Sequence, residues 1–209
     1  MKRLAIAAGA LLLTTGAHAE PAKGTVHIAP APGVSFDVPT TWISCDDATN
    51  KLLGGNADPH GLKSKVCVTV ADVPYKFRAF NPALFKTLSM LVDQHEKLDI
   101  TPDELASITP DMAKAITPAT CAEIVKPMTG DGTTIASCEV TVGTFAGMKA
   151  LHSIVVATPP NNEIAKFQVD IYEMPYSHGY LQVQFNSPSA FRSVTGPQID
   201  SVIASFKVE

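Results

Sequence analysis

The chain has 209 residues, of which 45% are hydrophobic and 17% charged, a balance that excludes general disorder. Its 13 Gly and 16 Pro follow no period, which excludes collagen-like and low-complexity architectures. A formal net charge of -4 offers no basic excess to a phosphate backbone, so nucleic acid is not an expected partner.

Residues 1–19 read as a secretory signal peptide. Lys2 and Arg3 form the charged head, and Leu4 to Leu13 is an apolar run too short to span a bilayer. Ala17-His18-Ala19 fits the small-x-small cleavage pattern, so the mature chain is expected to start at Glu20. Removal of Lys2 and Arg3 leaves 14 basic against 20 acidic side chains. No cysteine near the cleavage site suggests a lipid anchor, and no later stretch approaches the ~20 apolar residues of a membrane helix. The sequence therefore predicts a periplasmic or secreted protein without stable membrane insertion after cleavage.

Residues 20–32 read as an extended leader, and residues 33–209 as one domain. Val34 to Val38 alternates apolar and polar, the period of a half-buried strand. Trp42-Ile43 begins a second short strand running to Cys45, and Asp46 to Gly61 reads as a polar, Gly-rich loop. Lys65 to Val70 alternates again. Asn81-Pro82 then looks like a helix start, followed by Leu84, Leu88, Leu91 and Leu98 at helical spacing. Thr101-Pro102-Asp103-Glu104 is a capping box, and Thr109-Pro110 repeats the start signal, so 102–116 is expected as two short helices or one kinked helix.

From Thr120 to Phe185 the pattern predicts an antiparallel meander, turning at Thr129–Gly132, Gly143–Gly147, Pro159–Asn162 and Ser177–Gly179. Ser187-Pro188 opens a helical tail, expected to become regular near Pro197 and striped by Ile199, Val202, Ile203 and Phe206. Strands, helices, a run of strands and a helix make an α+β single domain, an antiparallel β-sheet flanked by helices in a layered sandwich.

Gly33-Val34-Ser35-Phe36-Asp37-Val38-Pro39 with Trp42 resembles the opening of the PsbP-like and DcrB-like families. Tyr180–Phe185 followed by Ile199–Phe206 is similar to their closing strand and helix. The resemblance implies an antiparallel sheet flanked by helices and a binding or assembly-support role without a shared catalytic centre. Two departures stand out: no lipid-acceptor Cys, and the two helical stretches at 82–116 as a central insertion.

Chemistry is hard to find in the sequence. No Gly-x-Ser-x-Gly or Ser-x-x-Lys occurs, and Thr129-Gly130-Asp131-Gly132 lacks the Lys of a phosphate loop. Asp46, Asp47, Asp58 and His60 share one loop, but their spacing fits no EF-hand and suits a solvated surface. His95 reads as a partly buried residue near a helix C-terminus, His152 as a partly buried strand residue, and His178 as part of a turn. Trp42, Phe36, Phe167 and Phe185 read as core. Gln168, Asp170, Gln182 and Gln184, with Tyr172 and Tyr180, are expected on one polar sheet face. That face is solvated, covered, or used for binding. No catalytic residue, cofactor or metal is assigned.

Four cysteines in an exported chain predict two disulfides, and no C-x-x-C spacing suggests a redox site. Cys121 and Cys138 flank the Thr129–Gly132 turn almost symmetrically, which places them opposite each other if a hairpin folds there. Cys45–Cys67 then closes the 46–66 loop. The expectation that follows is an exported, soluble, non-enzymatic binding or accessory protein that contacts an envelope protein. The alternative is a small-ligand carrier or an enzyme with an unrecognised pocket.

Overall fold

Ten strands and five helices follow one another in a computed structural model that describes residues 24–58, 61–67, 75–82, 89–95, 101–129, 132–160 and 166–209. The strands are β1 (Thr25–Ala31), β2 (Val34–Pro39), β3 (Ile43–Ser44), β4 (Tyr75–Phe80), β5 (Ser89–His95), β6 (Thr134–Phe145), β7 (Met148–Thr158), β8 (Phe167–Tyr176), β9 (Gly179–Pro188) and β10 (Lys207–Val208). The helices are α1 (Asp47–Leu52), α2 (Lys63–Val66), α3 (Pro102–Ser107), α4 (Pro110–Thr129) and α5 (Arg192–Ser205), the last preceded by a 3-10 turn at Ser189–Phe191. The fold is mixed α+β, as expected. No described helix is long and apolar enough to cross a membrane.

The main sheet has seven strands in the order β3-β4-β5-β9-β8-β7-β6, and a small sheet has the order β1-β2-β10. All pairings are antiparallel. One face of the main sheet carries Phe77, Ala79, Phe145, Ala150, Tyr172, Met174, Leu181, Val183 and Phe185, packed with α5 and β2 in the largest core. Phe36 of β2 stacks on Phe206 with ring centroids 4.3 Å apart and meets Phe77 edge-on. On the opposite face, Leu105, Ile108 and Ile116 pack against Val140 and Leu151, and Ile124, Val125 and Met128 against Val155, Val169 and Ile171. The result is three layers: α3 and α4, the seven-stranded sheet, and α5 with the small sheet.

Local chemistry explains much of this. Thr101 and Glu104 form the expected capping box on α3. Gly33 closes the turn between β1 and β2 at φ 70°, and a Cβ there would sit 3.0 Å from His178 Nδ1. The β6–β7 hairpin turns through Ala146 and Gly147, both at positive φ, the conformation a two-residue turn needs to match strand twist.

Several expectations are corrected. The stretch read as a helix after Asn81-Pro82 contains strand β5, hydrogen-bonded between β4 and β9. Its Met90 and Val92 register with Phe185 and Val183 of β9, and a continuous apolar run suits a central strand as well as it suits a helix. Leu84, Leu88 and Leu98 lie outside the described residues. Lys65-Val66, read as the start of a strand, belongs to helix α2, while 68–70 lie outside the described residues. The expected leader is strand β1 from Thr25 onward, and the expected loop after Asp46 contains α1. Helix α5 starts at Arg192 rather than near Pro197, which sits inside it on an exposed position.

The structure joins Cys45 to Cys67 and Cys121 to Cys138, with Cα separations of 5.4 and 5.9 Å. The second pair forms for a different reason from the one expected. Cys121 lies on α4, which continues through Pro118 to Thr129, and Cys138 lies on β6. The bridge is helix to strand, not strand to strand. Both disulfides sit at edges of the main sheet, one just past β3 and one on β6. At the β6 edge, Thr117 Oγ1 also donates to the Val140 carbonyl, so α4 shields a strand edge that would otherwise invite pairing.

Candidate functional site

Strand β8 carries Gln168, Asp170 and Tyr172 on one face, with Ile154 and His152 of β7 opposite Asp170 and Tyr172. Strand alternation sends these side chains toward the α5 side of the sheet. Asp170 is 1% exposed, the one acidic side chain among the fully buried described residues. A carboxylate there needs partners, because burial penalises its charge. Gln168 Nε2 donates to Oδ1 at 2.9 Å, and His152 Nε2 lies 3.1 Å from the same oxygen. Arg192, the first residue of α5, places Nη1 2.9 Å from Oδ2. The same nitrogen approaches Ser187 Oγ of β9 at 3.4 Å.

The cluster thus links β7, β8 and β9 to the head of α5. The His152 ring lies parallel to that of Tyr172, with centroids 4.1 Å apart. Burial pushes the Tyr172 phenol up to about 12, helped by the negative charge of Asp170 and opposed by Arg192.

The turn before α5 is held as well. Ser189 N–H donates to the Lys166 carbonyl at 2.8 Å, and Thr195 Oγ1 donates to the Phe191 carbonyl. Beside the anchored Arg192, Phe191 is 53% and Val194 52% exposed. Leu52 and Met112 are the other exposed large apolar side chains among the described residues. Lys166 is exposed, and the first turn of α5 carries no acidic residue.

The expected polar face divides in two. The β8–β9 hairpin pairs Tyr176 with Gly179, so even-numbered residues of β8 oppose odd-numbered residues of β9. Asp170 registers with Phe185, whereas Gln184 registers with Ile171 and Gln182 with Glu173. Gln168, Asp170 and Tyr172 therefore face α5, while Gln182 and Gln184 face the other way, as Tyr180 does opposite Pro175. Gln182 Nε2 bonds Glu173, and Gln184 Nε2 bonds Asn186, each at 2.9 Å.

The acidic loop serves structure. Asp46 caps α1 by accepting from Thr49 N–H, which holds its carboxyl below the usual range. Asp58 accepts from the N–H groups of Leu62 and Lys63, Asp47 pairs with Lys63, and His60 lies outside the described residues. No group of three potential metal ligands converges among the described residues. His95 ends β5 rather than a helix, and His178 sits in the β8–β9 turn beside Ser177. Trp42, Phe36 and Phe185 are fully buried, and Phe167 is partly buried in the helix-side core.

Arg192, Phe191 and Val194 were absent from the sequence reading. The signal lay in the α5 stripe for Val194 alone: Thr195, Ile199 and Val202 are buried and Val194 falls about 100° away from them, whereas Phe191 continues their spacing and is exposed because it precedes the helix.

No protein-family model matches this sequence, and no curated protein sequence matches it. Among solved structures, the chain is similar to the cyanobacterial PsbP (CyanoP) of Synechocystis sp. PCC 6803, with 14% identity, a TM-score of 0.50, and coverage of 85% of this chain and 87% of that one. It is also similar to the Ran-binding protein Mog1p of Saccharomyces cerevisiae, with 10% identity, a TM-score of 0.45, and coverage of 88% and 95%. The fold is PsbP-like.

Proposed function

We propose that the chain is an exported accessory protein that acts by binding another protein, with no chemistry of its own. The observation that carries this reading is the head of α5. Arg192 is fixed there by the buried Asp170, and two large apolar side chains beside it face solvent. Exposed apolar side chains on a rigid support are the usual anchors of protein contacts. The Asp170 carboxylate is engaged by Gln168, His152 and Arg192 and so serves to hold elements together. Two disulfides support maturation in an oxidising compartment and agree with the leader read at residues 1–19. Kinship with the PsbP-like and DcrB-like families belongs to the same proposal and is supported by the Gly33–Trp42 opening.

Affinity capture by the tagged mature protein from its own envelope tests the reading. One envelope protein should be recovered in stoichiometric amount. Failure to recover any, with turnover of a substrate by the pure protein, would overturn it.

A further inference from the structure

We infer that the first turn of α5 is a hinged latch that opens at Gly196-Pro197 while the rest of the helix stays packed, and that its opening regulates the protein contact proposed above, a regulation that rests on that reading.

Helix α5 divides at this dipeptide. Every α5 side chain in the large core lies after it: Ile199 and Val202 are buried there, Ile203 packs against them, and Phe206 follows at the helix end. No side chain from Ser189 to Thr195 belongs to an apolar cluster. Phe191 and Val194 face solvent. Thr195, the buried residue of this stretch, donates its hydroxyl to the Phe191 carbonyl of the same turn.

The joint is weak in its backbone. Pro197 has no N–H for the Ser193 carbonyl four residues back, so the helix lacks a bond at this level. A proline also disfavours helical backbone in the residue before it, and Gly196 relieves that clash by having no Cβ. Beyond its chain neighbours, a Cβ on Gly196 would meet nothing within 4 Å, and its φ is not positive, so neither packing nor turn geometry asks for glycine there. Both residues make bending at this one place easier than elsewhere in α5.

Polar contacts hold the turn down. Ser189 N–H donates to the Lys166 carbonyl at 2.8 Å. Arg192 Nη1 stands 2.9 Å from Asp170 Oδ2 and 3.4 Å from Ser187 Oγ. Asp170 Oδ2 and Ser189 Oγ are nevertheless buried without a hydrogen-bond partner among the described residues. The latch thus closes mainly through the charge of Arg192, and its release gives up little apolar burial. A segment with few buried apolar contacts opens at lower free energy than the core beneath it. Closed, it presents Phe191 and Val194 on a fixed turn, and a partner that binds this form alone draws the equilibrium toward it.

Thiol labelling of the purified protein tests the latch, since both native cysteine pairs are disulfide-bonded. Thr195→Cys and Val202→Cys each place a thiol at a buried position, one on either side of the joint. Thr195→Cys should label about a hundredfold faster than Val202→Cys, with little dependence on sub-denaturing urea. Adding Pro197→Ala at its exposed position restores the missing N–H and should slow Thr195→Cys tenfold or more relative to Val202→Cys. In a chain whose one change is Pro197→Ala, hydrogen exchange of the Thr195 amide should slow by about the same factor. Equal labelling at both positions, or no slowing by Pro197→Ala in either measurement, would overturn the latch while leaving protein binding intact. Captured envelope partner should slow Thr195→Cys labelling about tenfold further, and an unchanged rate would overturn the regulation. Recovery of no partner would overturn the protein-binding reading instead, with the opening still decided by the labelling rates.

Discussion

Two histidine–carboxylate pairs bridge neighbouring strands of this molecule, and their surroundings set them apart. His27 of β1 and Asp37 of β2 are direct cross-strand partners, 2.8 Å apart, with side chains 39% and 22% exposed. His152 of β7 and Asp170 of β8 are 3.1 Å apart, with side chains 17% and 1% exposed. Water solvates the first carboxylate, so the pair adds little that solvent does not already give. The second carboxylate has lost that water and must be answered by the protein. Gln168 donates to one oxygen, and Arg192, from a helix, sets its charge 2.9 Å from the other, which accepts no hydrogen bond among the described residues. Burial has turned an ordinary ion pair into a fastening between the sheet and the head of α5.

The largest expected effect follows from breaking that fastening. Arg192→Met leaves the Asp170 carboxylate without its permanently charged partner. It should cost about 3 kcal/mol in urea unfolding, the low end for a broken buried pair because Gln168 and His152 stay on the other oxygen. Adding Asp170→Leu should restore most of the loss, since an apolar replacement removes the stranded charge. A double variant no more stable than Arg192→Met alone would contradict the account.

A smaller effect appears at alkaline pH. The Tyr172 phenol is raised from its ordinary 10.0 to about 12, first by burial and then by Asp170. The unfolded chain loses this proton before the folded one does. The stability it contributes is therefore complete below pH 10 and is lost as pH rises toward 12. Tyr172→Phe should remove this component of the alkaline decline and delete one late-titrating phenol from the absorbance curve. An unchanged decline in Tyr172→Phe would count against it.

The smallest effect belongs to the exposed pair. Asp37→Asn should change stability by no more than about 0.5 kcal/mol. The backbone N–H of Asp37 keeps its bond to Ser205 Oγ in that variant. A loss comparable to that of Arg192→Met would erase the distinction between the pairs.

The sequence disclosed the layers better than the site. Alternation marked β2 and the strands from β6 to β9, and the Thr101–Glu104 capping box marked α3. Strand β5 was hidden because Met90-Leu91-Val92 is continuous apolar chain, which satisfies a helix and a buried strand equally. Helix α4 was cut short at 116, although Ala113, Thr117, Cys121, Ile124 and Met128 keep helical spacing past Pro118. Gln168 and Asp170 were visible as polar positions on β8, but what covers them is a helix that begins more than twenty residues later. The grouping with Gln182 and Gln184 was avoidable in principle. A two-residue turn at Ser177–His178 already fixes which positions of β8 and β9 share a face.

The central claim is that Asp170 and Arg192 hold a protein-binding head in place. Photo-crosslinking from position 194 in cells that express the full chain tests it most directly, with exposed Glu123 on α4 as the control position. The account predicts a discrete product with one envelope protein from position 194, retained in Asp37→Asn and lost in Arg192→Met, and no such product from position 123. The same product from both positions, or its persistence in Arg192→Met, would contradict the account.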